Sequence, residues 1–198
     1  KRNLITMNGL WMLVAQAKES AGWFSACEIS NDVIAAIHRK LRTQMENTIL
    51  IGMPGCGKST IGKLVAEKLG KKFVDADEMI VRYAGKTIRQ IFTDSGEEGF
   101  RKIETKVLAD LGKESGLVIA TGGGCVTRKE NYNLLHQNGT IYWLQRDVTD
   151  LPTDGRPLSQ SGNLLEMYKI RAPLYRQFAD YIIDNNCDAN AAAAVIAE

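Results

Sequence analysis

Short apolar runs alternate with longer stretches of helical periodicity over most of the chain. Thr48-Ile49-Leu50-Ile51, Phe73-Val74, Leu117-Val118-Ile119-Ala120, Thr140-Ile141-Tyr142-Trp143-Leu144 and Tyr181-Ile182-Ile183 show little polar alternation. That is the pattern of strands buried on both faces. Between them Ile61, Leu64, Val65 and Leu69 recur at helical spacing, and helices are predicted over 97–114, 129–137, 164–170 and 189–197. Strands alternating with helices predict a parallel sheet wrapped by helices on both faces, an α/β domain.

Two helical segments precede that domain. Leu10, Leu13, Val14 and Ala17 share one face of a first helix, which Gly22-Trp23-Phe24 interrupts. A second starts from Ser30 or Asn31 as N-cap and carries Val33, Ile34, Ile37 and Leu41 on one face. The expected organisation is a helical segment over 1–45 and an α/β domain over 46–198. Within the latter, the polar stretch 147–162, with Pro152, Gly155 and Pro157 and little periodicity, reads as a mobile lid.

The chemistry begins where the first strand ends. Residues 52–59 read Gly-Met-Pro-Gly-Cys-Gly-Lys-Ser, a full match to G-x-x-x-x-G-K-[ST] between a strand and a helix. Glycines there let consecutive backbone amides cradle phosphate oxygens at a helix N-terminus, where the dipole favours negative charge. Lys58 reaches the outer phosphates and the Ser59 hydroxyl ligates Mg²⁺. The loop Gly52, Pro54, Gly55, Cys56, Gly57, Lys58, Ser59 and Thr60 is thus the expected seat of ATP.

Bulk properties narrow the class without choosing the substrate. The chain has 198 residues, 44% hydrophobic and 24% charged, with a formal net charge of +2. That charge gives no mandate for nucleic acid or a membrane surface, and no apolar run approaches a membrane span. The four cysteines (Cys27, Cys56, Cys125 and Cys187) form no C-x-x-C pair, which argues against zinc or a disulfide framework and points to a reducing cytoplasm. Cys56 and Cys125 are expected to be small fillers rather than nucleophiles. The first residue, Lys1, suggests an excised part of a longer chain.

Three further clusters speak to the acceptor. Asp75-Ala76-Asp77 follows the second strand, at the sheet edge where open α/β folds bind substrates. One carboxylate can support a metal while the other meets an acceptor hydroxyl; an N-capping pair is the plainer alternative. Arg101, between Glu97 and Glu104, is either one member of a surface ion-pair array or a buried cation suited to capturing a carboxylate. Gly122-Gly123-Gly124, after the strand at 117–120, exposes backbone to a small ligand or makes a tight turn.

Taken in order, Gly-Met-Pro-Gly-Cys-Gly-Lys-Ser, Asp-Ala-Asp, Gly-Glu-x-x-Phe-Arg-x-x-Glu, Gly-Gly-Gly, Gly-Arg-Pro-Leu and Arg-Ala-Pro-Leu-Tyr resemble the shikimate kinases from about Asn47 onward. The resemblance implies a three-layer P-loop kinase fold like that of the nucleoside-monophosphate kinases, with a five-stranded parallel sheet and an N-terminal helical extension. It implies transfer of the ATP γ-phosphoryl group to the 3-hydroxyl of shikimate, giving 3-phosphoshikimate and ADP for aromatic amino acid synthesis. Asp77 then faces that hydroxyl and Asp75 lies near Mg²⁺. Arg101 and Arg171 clamp the shikimate carboxylate beside Gly122, Gly123 and Gly124, while Arg156 is the lid arginine closing on the phosphate. The expected cofactor is Mg²⁺, ATP is the co-substrate, and the protein is a cytoplasmic monomer or part of a fusion.

The match departs from the family at the nucleotide base. The lid is short, no arginine stands between 147 and 154 to stack on adenine, and Arg146 is a poor substitute. The segment 185–190 also lacks the usual proline. At the front, Asn8-Gly9-Leu10-Trp11-Met12-Leu13-Val14-Ala15-Gln16-Ala17 resembles the C-terminal helix of shikimate dehydrogenases. In that family the glutamine matching Gln16 contacts shikimate. Residues 1–45 are therefore expected to be an inactive remnant of a dehydrogenase–kinase fusion.

Overall fold

The computed structural model describes residues 9–151, 164–186 and 188–198. They fall into two compact units, Lys1–Met45 and Glu46–Glu198. The first unit is a helix pair, α1 (Leu10–Ser25) and α2 (Asn31–Met45). Lys18 Nζ donates to Asn31 Oδ1 at 2.8 Å, and Trp11 meets His38 edge-on at 4.9 Å. The Ser30 hydroxyl accepts from Val33 N, in keeping with a cap at that end of α2. Helix α1 runs on through Gly22 to Ser25 rather than stopping before it. Val14 of α1 and Ile34 of α2 are buried, while Leu13, Val33 and Ile37 of the expected apolar faces are exposed.

The second unit holds five strands: β1 (Asn47–Ile51), β2 (Lys72–Asp75), β3 (Leu117–Ala120), β4 (Gly139–Gln145) and β5 (Tyr181–Asp184). All are parallel, in the order β2-β3-β1-β4-β5. Every residue of β1 and β3 is buried, as the continuous apolar runs require for inner strands of a sheet covered on both faces. The connecting helices are α3 (Lys58–Leu69), α4 (Ala76–Ala84), α5 (Ile88–Leu111), α6 (Glu130–His136) and α7 (Leu164–Phe178), and α8 (Ala189–Ala197) closes the chain. Helices α3 and α8 pack together, as do α5 and α6.

Two helices are longer than their periodicity suggests. Helix α5 starts at Ile88 instead of 97, under a Thr87–Gln90 capping box, and breaks at Gly96, whose φ of 66° and ψ of −172° are not helical. The Phe92 and Phe100 rings stack across that break, 4.7 Å apart. Helix α7 continues through Pro173 to Phe178, past the expected end at 170. Most of the expected lid, including Arg156, lies outside the described residues; its first part forms a short 3₁₀ turn, Val148–Asp150.

The parallel sheet fixes where chemistry can occur. The residues after β1, β2 and β3 all leave the same, C-terminal edge of the sheet, and these are the phosphate loop, the Asp75–Asp77 turn and the triple glycine.

Candidate active site

The phosphate loop takes its shape from glycines that no other residue could replace cheaply. Gly52, Gly55 and Gly57 have φ values of 145°, 85° and 92°. Gly57 in the left-handed region caps α3, so the first helical amides face the loop interior. Lys58 opens the helix and is nearly buried, its ammonium bonded to the carbonyls of Gly52 at 2.9 Å and Met53 at 2.8 Å. Those bonds aim the cation across the loop mouth, and the phosphates of a nucleotide would compete for it. Behind the loop, Asn185 Nδ2 donates to the Cys56 carbonyl at 2.5 Å, tying the loop to the end of β5.

Asp75 serves two masters. Its Oδ1 accepts from Asp77 N at 3.0 Å, capping α4, and its Oδ2 accepts from the Ser59 hydroxyl at 2.7 Å. The capping alternative for Asp75 is thus realised, and the same carboxylate also holds the Ser59 hydroxyl. Ser59 and Asp75 present two hard oxygens at the loop mouth, a donor set suited to Mg²⁺, which completes its shell with phosphate and water. Among the described residues no group of three or more His, Cys, Asp or Glu forms a metal cage.

The acceptor side is organised by the triple glycine after β3. Each glycine abuts a different functional group, read from where an added Cβ would fall. At Gly122 it would stand 2.7 Å from Glu104 Oε1 and 3.0 Å from Asp77 Oδ1. At Gly123 it would meet the Pro54 ring at 2.7 Å and the Pro54 nitrogen at 2.9 Å. At Gly124 it would overlap the Arg101 guanidinium. The glycines are required by close approach, with phosphate loop, carboxylates and arginine converging on one strand end. The Gly123 carbonyl points the other way and accepts from Arg171 Nη1 at 3.2 Å and from the Tyr175 hydroxyl. Above it, Thr121 Oγ1 donates to the Leu50 carbonyl of β1, locking the strand ends together.

Arg101 and Arg171 are both buried. Arg101 donates through Nη1 to Glu104 Oε2 at 2.7 Å and through Nη2 to Glu97 Oε1 at 3.1 Å. Its side chain is 6% exposed and that of Glu104 1%, so a surface ion-pair array does not describe this cluster. Burial pulls the Arg101 pKa down, but Glu104 and then Glu97 outweigh it and hold the guanidinium above its usual value. Burial pushes the Glu104 carboxyl up, the adjacent Asp77 charge adds to that, and Arg101 and Arg171 oppose it. Among the described residues Glu104 Oε1 has no hydrogen-bond partner. Burial lifts the Cys125 thiol to about 12, so it stays protonated and donates to Thr121 Oγ1. Cys56 is equally buried. Neither is poised as a nucleophile.

The structure thus brings Lys58, Ser59, Asp75, Asp77, Arg101, Gly122, Gly123, Gly124 and Arg171 to one sheet edge. It adds three residues that the sequence did not single out as site residues. Glu104 belongs to the Phe-Arg-x-x-Glu run and Tyr175 to Arg-Ala-Pro-Leu-Tyr, so both were within reach of a motif; Asn185 carries no local signal.

Known proteins resemble this part of the chain. The family model described as shikimate kinase matches residues 54–198. The shikimate kinase of Nitrosomonas europaea is 45% identical over 148 residues, 70% of this chain and 70% of the relative. That of Methylococcus capsulatus is 42% identical over 147 residues, 70% of this chain and 82% of the relative. Among solved structures, the Acinetobacter baumannii shikimate kinase in complex with shikimate superposes with a TM-score of 0.74 at 40% identity, covering 79% of this chain and 93% of that one. The Aquifex aeolicus shikimate kinase gives 0.66 at 31% identity, covering 76% and 92%.

Proposed function

From the premise that this chain belongs to the shikimate kinase family, we propose how its residues divide the work of phosphorylating shikimate with ATP. The observation that carries the assignment is the triple glycine, against which the phosphate loop, Asp77 and Arg101 all abut. A donor phosphate in the loop and a small acceptor on the glycines would be neighbours there, which is what in-line transfer needs.

Lys58 exchanges its two carbonyl partners for phosphate oxygens and stabilises the charge that grows on them during transfer. Ser59 and Asp75 would hold Mg²⁺, which would supply positive charge against the phosphate oxygens. Asp77, fixed at the first turn of α4, meets the 3-hydroxyl and orients it toward the phosphorus. Arg101, held by Glu104 and Glu97, and Arg171, held by the Gly123 carbonyl, grip the carboxylate of shikimate. Arg156, which lies outside the described residues, is assigned by its motif as a further cation for the transferring phosphate.

An assay of ADP release with shikimate, gluconate and nucleoside monophosphates tests the assignment. Turnover with shikimate alone is expected; turnover with gluconate and none with shikimate would overturn it.

Residues 1–45 are read here as a dehydrogenase-derived remnant without activity of its own, and the kinase as a cytoplasmic monomer or the kinase part of a fusion. The support is the resemblance of residues 8–17 to a dehydrogenase C-terminal helix. Among the described residues no helix is long and apolar enough to cross a membrane. Sequence upstream of Lys1 tests the fusion: a dinucleotide-binding glycine loop is expected there, and an unrelated reading frame would refute it.

A further inference from the structure

Glu104 is a buried carboxyl surrounded by charge and only half satisfied. Oε2 is bound by Arg101, while Oε1 is buried without a partner and stands beside Gly122 with Asp77 across the same notch. Among the described residues four groups face it: Arg101 from α5, Asp77 from α4, Arg171 from α7, and the Cys125 thiol from the turn after β3, while Glu97 shares Arg101 with it. The two cations that favour the charged form of this carboxyl are the same two assigned above to the acceptor's carboxylate. An arriving anion would share their charge and add its own.

We propose that Glu104 takes up a proton from solvent when the acceptor's carboxylate docks on Arg101 and Arg171, so that acceptor binding is coupled to proton uptake. The inference rests on the clamp role given to those arginines. Before docking, Arg101 is neutralised by Glu104 and Glu97, an arrangement that would repel a further anion. Protonating Oε1, the oxygen without a partner, converts Glu104 from a competitor for Arg101 into a neutral donor, and the guanidinium passes to the substrate with little net change in buried charge. Burial and the neighbouring Asp77 already push the Glu104 carboxyl upward, and a second anion beside it acts in the same direction. Cys125 stays protonated, and of the two histidines His136 is paired with Asp180, just before the start of β5, while His38 belongs to α2.

The test is calorimetric titration of shikimate into the nucleotide-free full chain, in buffers of different ionisation enthalpy, from pH 6 to 8.5. The ligand's own carboxyl is ionised throughout. The expected result is a binding heat that varies with buffer, reporting uptake of up to one proton. Affinity should fall by up to tenfold per pH unit through the window where uptake is largest. Glu104→Gln should bind shikimate with no buffer dependence. The methyl ester of shikimate, which lacks the anion, should bind more weakly and also take up no proton, a check that does not depend on any variant folding. Binding without buffer dependence in the wild type overturns this proposal alone. Equal proton uptake by Glu104→Gln or with the ester also overturns it. Failure of the wild type to bind shikimate would overturn the clamp assignment, and the proposal with it.

Discussion

Replacing Arg101 by methionine isolates what the buried ion pair contributes to folding. Met retains most of the apolar stem but removes the charge, leaving Glu104 buried with no cation on Oε2. Removing one partner of a buried pair typically costs about 3–5 kcal/mol. Here the loss has a ceiling, because the carboxyl can escape by taking a proton. Starting from its ordinary value of 4.5, that escape at pH 7 costs about 1.36 kcal/mol for each of roughly 2.5 units, or about 3.4 kcal/mol. At pH 5.5 the same ceiling is about 1.4 kcal/mol. The sign follows from the direction of the shift. A carboxyl whose pKa is higher folded than unfolded supports the fold below its unfolded value and loses that support as pH rises. Urea denaturation should therefore show Arg101→Met less stable than wild type by about 2–3 kcal/mol at pH 7, with the gap narrowing by half or more at pH 5.5. Arg101→Met combined with Glu104→Gln should recover most of the loss, since no stranded charge remains, although shikimate binding stays weak. A loss under about 1 kcal/mol at pH 7, or a double variant as unstable as the single one, would refute the reasoning.

Three further substitutions probe the rest of the site. Lys58→Ala should abolish turnover while lowering stability by only about 1–2 kcal/mol, the cost of two carbonyls losing a partner, as followed by ADP release and urea midpoint. Gly123→Ala places a methyl 2.7 Å from the Pro54 ring, so about 1–3 kcal/mol of strain is expected, with the apparent affinities for ATP and shikimate falling together; an ordinary enzyme would show that the two loops are not in contact. Asn185→Ala frees the Cys56 carbonyl and should raise the KM for ATP several-fold while leaving that for shikimate nearly unchanged, by steady-state kinetics with each substrate varied.

The phosphate loop was legible because its chemistry is contiguous: eight adjacent positions encode the turn, the cation and the helix start. The acceptor side was legible only as several separate motifs in order, since Asp77, Arg101, Gly122 and Arg171 come from four segments. Glu104 shows where local reading stops. Its i, i+3 spacing from Arg101 is the same for a solvated pair and a buried one. What separates them is the covering by α4, α7 and the glycine turn, which is tertiary. Asn185 is the sharper case, because an asparagine after a strand announces nothing until the phosphate loop is folded beside it. The first half of α5, by contrast, was signalled by the Thr87–Gln90 box. The expected helix starts just after the break at Gly96 and leaves out the residues from Ile88 up to it.

The position of β1 between β3 and β4 has a consequence for how such an enzyme can diverge. The strand carrying the phosphate loop divides the reactive edge of the sheet in two. Strand ends on the β2–β3 side carry Asp75, Asp77 and the glycines, while those on the β4–β5 side carry Arg146 and Asn185. The central strand does not insulate the two halves: Arg171 and Tyr175, on the helix between β4 and β5, reach over to the Gly123 carbonyl, so a change on one side of β1 is felt at the acceptor glycines on the other.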